Sequence, residues 1–303
     1  MILSELSKKD YIRLICDQGV SLKTGPFVVR IQSSIQALQD NLYSLYRYNH
    51  IAQSADFIDF NIRIAPPGNL RAVWRPQAYF YLDERVPFKP LPYSQAFPML
   101  EWGMNWCISN HAHQYLIIHA AVAERNGQGI LFPAPPGSGK STLCAALVSK
   151  GWHLLSDELA LFSLETGKLV PLARPVNLKN ESIDVMQAYA PEAIFSGRFL
   201  DTSKGTVSLM AAPKDSVEKS QEEISLRHVI FPHYVKQSSM QYREIGQGEG
   251  ILKVIDNAFN YSVLGLQGFE FLSRIMEKVN IASFEYSELD DAIGYFNGLV
   301  NDE

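Results

Sequence analysis

The chain is 303 residues long, 47% hydrophobic and 19% charged, with a net charge of −5. That length suits one large domain or two of ordinary size, and the composition supports a sizeable core and excludes global disorder. Lysines and arginines are scattered, which argues against a nucleic-acid surface or a polybasic membrane patch.

Cys16, Cys107 and Cys144 lie far apart, are odd in number and lack metal-ligand spacing. They read as reduced thiols of a cytoplasmic protein. Glu5, Lys8 and Lys9 stand where a secretory leader needs an apolar run. No window approaches the ~18 apolar residues of a membrane span. The expectation is a soluble, cytoplasmic protein.

In chain order, residues 1–25 predict a short helix followed by turns at Gly19 and Gly25. Phe27–Gln32 predicts a strand, and Leu38–Tyr48 a helix with Leu42, Leu45 and Tyr46 on one side. Phe57–Ile64 and Ala78–Leu82 predict further strands. Residues 1–93 thus form a small mixed α/β region with no chemistry-bearing cluster, its aromatic residues serving a core. From 94 onward a second domain runs to 303. Gln95–Asn110 predicts a helix with Pro98 in its first turn. Tyr115–Glu124 predicts one strand, and Asn126-Gly127 a hairpin turn into the next. His119 falls in that first strand, where a histidine is by default a satisfied core residue.

The strand Ile130-Leu131-Phe132 then enters Pro133-Ala134-Pro135-Pro136-Gly137-Ser138-Gly139-Lys140-Ser141-Thr142, and an apolar helix-like run leaves it. Ala134–Ser141 fits the phosphate-loop pattern G-x-x-x-x-G-K-[ST], with Ala at the first glycine. Gly137 and Gly139 allow backbone N–H groups to turn inward around phosphate oxygens. The helix beginning near Lys140 aims its positive end at them. Lys140 supplies a mobile charge for the β- and γ-phosphates of ATP, and Ser141 a hydroxyl for Mg²⁺.

Trp152–Phe162 predicts a strand interrupted by Asp157 and Glu158. Two acids in an apolar strand are costly unless their desolvation is offset, as a Mg²⁺ ion and a proton-acceptor role would do. Only fifteen residues separate Ser141 from Asp157, so the strand after the loop helix should return its acids to the nucleotide. Thr166-Gly167 predicts a hairpin turn, and Leu169–Glu181 an extended segment whose Arg174, Lys179 and Glu181 either approach phosphates or metal or form a solvated loop. Residues 196–224 read as an exposed connection. Leu226–Phe231 predicts a strand, Leu252–Met276 a largely helical stretch and Leu289–Leu299 a terminal helix.

The histidine before the loop, the loop itself and the paired acids resemble the HPr serine kinase/phosphorylase group, and more closely the HprK-related kinases. Arg174-Pro175…Leu178-Lys179 and Phe231-Pro232-His233-Tyr234 share in that likeness, which covers about residues 100–300. The resemblance implies a compact α/β P-loop kinase domain of the HPr kinase and phosphoenolpyruvate carboxykinase type. It implies Glu158 as catalytic acid/base, with Asp157, His119 and Lys140 beside it. It implies Ser141 and Asp157 as metal ligands and Glu181 as a further Mg²⁺ ligand, and it suggests a homo-oligomer. The family's second acid is Asp where this chain has Glu158. Its downstream glycine-rich signature and the C-terminal loop linked to dephosphorylation are absent, which argues against phosphorylase activity. The arginine for the transferring phosphoryl group is left open among Arg174, Arg227 and Arg243.

The function so expected is ATP- and Mg²⁺-dependent transfer of the γ-phosphoryl group to a hydroxyl, a protein or peptide serine by resemblance. The alternative is an ATP-binding regulatory module with little or no phosphotransfer, in which ATP orders residues 196–224.

Overall fold

Alternation of apolar residues builds the first sheet. The computed structural model describes residues 1–53, 56–68, 74 and 76–301. Helix α1 (Lys8–Asp17) is capped by Ser7, whose hydroxyl oxygen accepts from the Asp10 amide. Then come β1 (Val20–Thr24), β2 (Phe27–Ser33), α2 (Gln36–Leu45), β3 (Phe60–Ala65), β4 (Gln77–Leu82) and β5 (Leu91–Pro92). The five strands form one sheet in the order β1-β2-β3-β4-β5. Phe27, Val29 and Ile31 alternate into its core, as a half-buried strand requires. Helix α3 (Ala96–His111) packs with them, and Ile117, Leu161, Leu172 and Leu209 join the same core. The N-terminal sheet therefore shares a core with residues well past 93.

The remaining elements are β6 (Tyr115–Ile118), β7 (Ala120–Arg125), β8 (Gln128–Pro133), α4 (Lys140–Ser149), β9 (His153–Ser156), β10 (Ala160–Ser163), β11 (Leu169–Val170), β12 (Val176–Lys179), α5 (Glu181–Tyr189), β13 (Phe199–Thr202), β14 (Gly205–Met210) and α6 (Lys214–Glu218). They continue through β15 (Ser225–Tyr234), β16 (Gln241–Glu244), α7 (Gln247–Ile255), α8 (Tyr261–Met276), β17 (Asn280–Tyr286) and α9 (Leu289–Leu299). A mixed six-stranded sheet, β16-β17-β15-β8-β7-β9, is the centre of this part. Two three-stranded sheets, β11-β10-β6 and β12-β14-β13, accompany it. Ala121, Ala123, Ile130 and Phe132 pack toward α4 and α9, while Ala120, Val122 and Leu131 pack toward β10 and α8. Burial on both faces makes these strands near-continuous apolar runs.

Several sequence expectations need correction. Tyr115–Glu124 is two strands, split at His119, and Trp152–Phe162 is two, split at Asp157–Leu159. β6 pairs with β10 in one sheet, whereas β7 pairs with β9 in another. Residues 196–224 are no exposed connection: they hold the β13–β14 hairpin and α6, with Val207, Ser208, Leu209 and Met210 buried. Glu181 begins α5 rather than ending an extended segment. The helical stretch 252–276 belongs to two helices, α7 and α8, and α8 is kinked at Gly265. β15 runs on through Pro232 to Tyr234; beyond Val229 only β17 pairs with it, so the missing proline N–H is tolerated. Among the described residues no helix is long and apolar enough to cross a membrane.

Candidate active site at the strand ends

Strand direction brings the chemistry together. β8, β15 and β17 run parallel, and β9 shares their direction because both it and β8 are antiparallel to β7. The loop after β8, the acids after β9 and the ends of β15 and β17 therefore share one edge. His119 arrives there from the other side, as the residue before β7. The last pairing of β6 with β10 is Ile118 with Ala160, and that of β7 with β9 is Val122 with Ser156. Between these pairs the two chains part, and His119, Asp157 and Glu158 occupy the parting. The His119 amide instead donates to the Asn257 carbonyl at 2.7 Å.

The loop of residues 134–139 is clasped from the far side. Tyr234 N donates to the Ser138 carbonyl at 2.9 Å and Tyr286 Oη to the Gly139 carbonyl at 3.1 Å. Gly137 and Gly139 take φ of +89° and +88°. A Cβ on Gly139 would lie 2.6 Å from Tyr286 Oη and 2.8 Å from Tyr234 Cβ, whereas one on Gly137 would meet nothing within 4 Å. Gly137 thus faces open space, beside the exposed Pro135 and Pro136. Ala134 is buried, as is Ser138, whose hydroxyl has no hydrogen bond. No side chain caps the start of α4. Its first amides and its positive end are left for an anion.

Lys140 is 6% exposed, and its Nζ lies 3.1 Å from His119 Nε2. Burial lowers its pKa, and Asp157 and Glu158 pull the other way. The same Nε2 is 3.4 Å from Glu158 Oε2. One imidazole nitrogen cannot accept from an ammonium and donate to a carboxylate at once. His119 therefore serves one neighbour at a time. Glu158 Oε1 lies 3.8 Å from Lys179 Nζ and accepts from Asn177 Nδ2 at 3.4 Å. Burial would raise the Glu158 carboxyl, but the His119 contact and the charges of Lys204, Lys140 and Lys179 outweigh it and hold it well below the usual carboxylate range.

Asp157 behaves oppositely. Burial pushes its carboxyl up, Lys140 draws it down and Glu158 raises it again. Oδ2 accepts from the Asn177 amide at 2.9 Å. The Ser141 hydroxyl also eases its charge, yet Oδ1 is left without a hydrogen bond of ordinary geometry. Ser141 and Thr142 are half-buried on the first turn of α4. A buried carboxylate oxygen without a donor, beside a serine hydroxyl and an uncapped helix start, fits a divalent cation with a polyphosphate. Asn177 and Lys204 are site residues that sequence reasoning passed over; the signal at Asn177 was a polar residue between Val176 and Leu178.

Other predicted residues stand elsewhere. Glu181 is exposed at the head of α5, with no hydrogen bond or ion pair to Asp157 or Ser141. Among the described residues no three His, Cys, Asp or Glu side chains converge as a metal cluster. Arg174 is buried, bonded to Glu101 Oε2 at 2.6 Å, Asn105 Oδ1 at 2.6 Å and Tyr46 Oη at 3.3 Å. A guanidinium so fully engaged is not available to phosphate. Arg227 lies at the opposite end of β15 from the loop, and Arg243 is exposed on β16 beside Ser283.

Residues 97–171 match the model of a family described as SynChlorMet cassette protein ScmC. No curated protein matches the chain. Among solved structures it is similar to the HPr(Ser) kinase/phosphatase from Coxiella burnetii, at 16% identity and a TM-score of 0.29. That likeness covers 62% of this chain and 99% of that one.

Proposed function

We propose that the chain is an ATP-dependent kinase that transfers the γ-phosphoryl group to a hydroxyl, with a protein or peptide serine as acceptor. The observation that carries this reading is the meeting of Lys140, His119 and Glu158 at the mouth of the glycine loop, over 3.1 and 3.4 Å. The serine class of the acceptor rests on the sequence resemblance.

Bound ATP would supply the transferable group and Mg²⁺ the charge that offsets it. The loop amides and the start of α4 bind phosphate oxygens, and Ser141 with Asp157 would hold the metal. Lys140 turns its ammonium from His119 toward the phosphates. His119 Nε2 is then free to donate to Glu158 and fix its carboxylate. Glu158 accepts the proton of the attacking hydroxyl as its oxygen bonds to phosphorus and the bond to the departing ADP oxygen breaks. Phosphate charge beside the three lysines weakens their hold on Glu158, so it becomes a better base when loaded.

The low pKa of Glu158 in the unloaded protein favours one second reading, nucleotide binding without transfer. Lys140→Ala should abolish ATP binding in calorimetry. Glu158→Gln should bind ATP normally but move no label from γ-labelled ATP to a second molecule in cell extract. Transfer that persists in Glu158→Gln removes this residue from the mechanism. Saturable binding by the unaltered chain with no label movement selects the second reading.

A further inference from the structure

Of the three arginines open from the sequence, Arg174 is engaged, Arg227 lies at the wrong end of β15, and Arg243 sits on the edge strand with β17 and β15 between it and β8. Yet the site holds more positive charge than its acids require. Lys140 faces both Asp157 and Glu158, while Lys179, 3.8 Å from Glu158 Oε1, and Lys204 add their charges on the Glu158 side, three cations to two anions. Lys179 ends β12, and Lys204 sits in the turn between β13 and β14 of the same small sheet. The two turns are locked together. Asn180 N donates to the Thr206 carbonyl at 2.9 Å, and Thr206 N donates to Asn180 Oδ1 at 3.1 Å. Gly205 has φ of +84°, and a Cβ there would fall 2.4 Å from Asn180 Oδ1, so a side chain at this position would both strain the turn and push the Asn180 amide out of its bond to Thr206. Thr202 Oγ1 closes the Lys204 turn by donating to the Gly205 carbonyl at 2.6 Å and accepting from Lys204 N at 3.1 Å. Ser182 Oγ pins the Lys179 backbone, accepting from its amide at 2.8 Å. Lys204 Nζ lies 5.4 Å from the centre of the Trp102 ring of α3, the helix whose Glu101 and Asn105 line a cavity with Asp157 and Glu158.

We propose that Lys179 and Lys204, fixed side by side by Asn180 and Gly205, are the cations that grip the terminal phosphate of the nucleotide, the role the sequence left to an arginine. This rests on the kinase reading above. The lysines reach from β12, which packs beside α4, and from the β13–β14 turn joined to it. A phosphoryl group at the loop would be held by the loop amides and Lys140 and, on the Glu158 side, by Lys179 and Lys204. Their surplus charge is met by the third phosphate, which ADP lacks.

The test compares affinities for Mg·ATP and Mg·ADP by calorimetry in the full chain and in Lys179→Met and Lys204→Met. The expected result is roughly a tenfold loss of ATP affinity in each variant, the size of one lost charge-assisted contact, with ADP affinity within about twofold of the starting protein. Lys204→Arg should restore the ATP preference. Lys204 is exposed on a turn, so its variants should fold even if Lys179→Met does not. Equal losses for ATP and ADP, or no loss in either Lys204→Met or Lys179→Met, overturn the proposal, because the lysines would then only balance Glu158. An unaltered chain that binds neither nucleotide overturns the kinase reading and the proposal together. A chain that binds both nucleotides but shows no lysine-dependent preference overturns the proposal alone.

Discussion

Asp157 and Glu158 are adjacent, yet their environments push them in opposite directions. Glu158 is held down by His119 and three lysines despite its burial, while burial leaves Asp157 raised. The signs matter for stability. Glu158, depressed, stabilises the fold fully above its unfolded pKa, and that contribution is lost as pH falls toward its folded value. Asp157, raised, costs stability above its folded pKa, and the cost is relieved as it takes up a proton. Asp157→Asn should therefore raise the melting temperature of the ligand-free protein at neutral pH, by on the order of 2 °C per kcal/mol relieved. The gain should shrink on acidification, as the unaltered chain protonates Asp157. The same variant should lose Mg²⁺-dependent nucleotide binding. A destabilised Asp157→Asn protein at pH 7 would show that the buried carboxylate is satisfied in a way its orphaned Oδ1 does not suggest.

At the scale of elements, the site is made by strands that change partner. Hydrophobic pattern shows that Tyr115–Glu124 and Trp152–Phe162 are strands, but both halves of each are apolar, so periodicity carries no mark of the switch between sheets. The polar residues at the breaks, His119 and Asp157-Glu158, are that mark. The loop and its helix were legible because glycine, lysine and serine at fixed spacing report backbone chemistry directly. β17 was not, although Ile281, Ala282, Phe284 and Tyr286 are buried, because its partners β15 and β16 lie far from it in order. The 196–224 segment misled because its charged ends mask the apolar Val207–Ala212. Loop and strand ends also touch, which separates the two glycines. Gly139→Ala adds collision with Tyr286 and Tyr234 to the left-handed backbone cost, while Gly137→Ala meets only that cost, about 1–2 kcal/mol. Urea unfolding should show Gly139→Ala as the more damaging of the two. Tyr286→Phe, which removes the nearest atom, should recover part of the difference.

Over the whole molecule, one buried ion pair ties the N-terminal sheet's core to the site. Arg174 joins Glu101 and Asn105 of α3 and Tyr46 just past α2, three residues before Asn177 meets Asp157 and Glu158. Arg174→Met or Glu101→Gln alone leaves an unpaired buried charge or an unfilled bond, and the arginine loss should cost about 3–5 kcal/mol in chemical denaturation. Replacing both Arg174 and Glu101 by methionine should recover most of it. Additive losses in the double variant would show that the two side chains do not act as a pair. The sequence left the role of residues 1–93 unknown because no motif lies in it. What it supplies is tertiary, and a single chain of letters does not display which distant tyrosine will meet which arginine.

The short span from Arg174 to Asn177 has a practical meaning for anyone wishing to pare the protein down. The peptide that steadies the acids is moored at its upstream end to Glu101 and Asn105 of α3, and by one further bond to Tyr46. A fragment starting at residue 94 would keep Glu101 and Asn105 but lose Tyr46 and the strands against which α3 packs, so it should expose apolar surface on the very helix that holds Arg174.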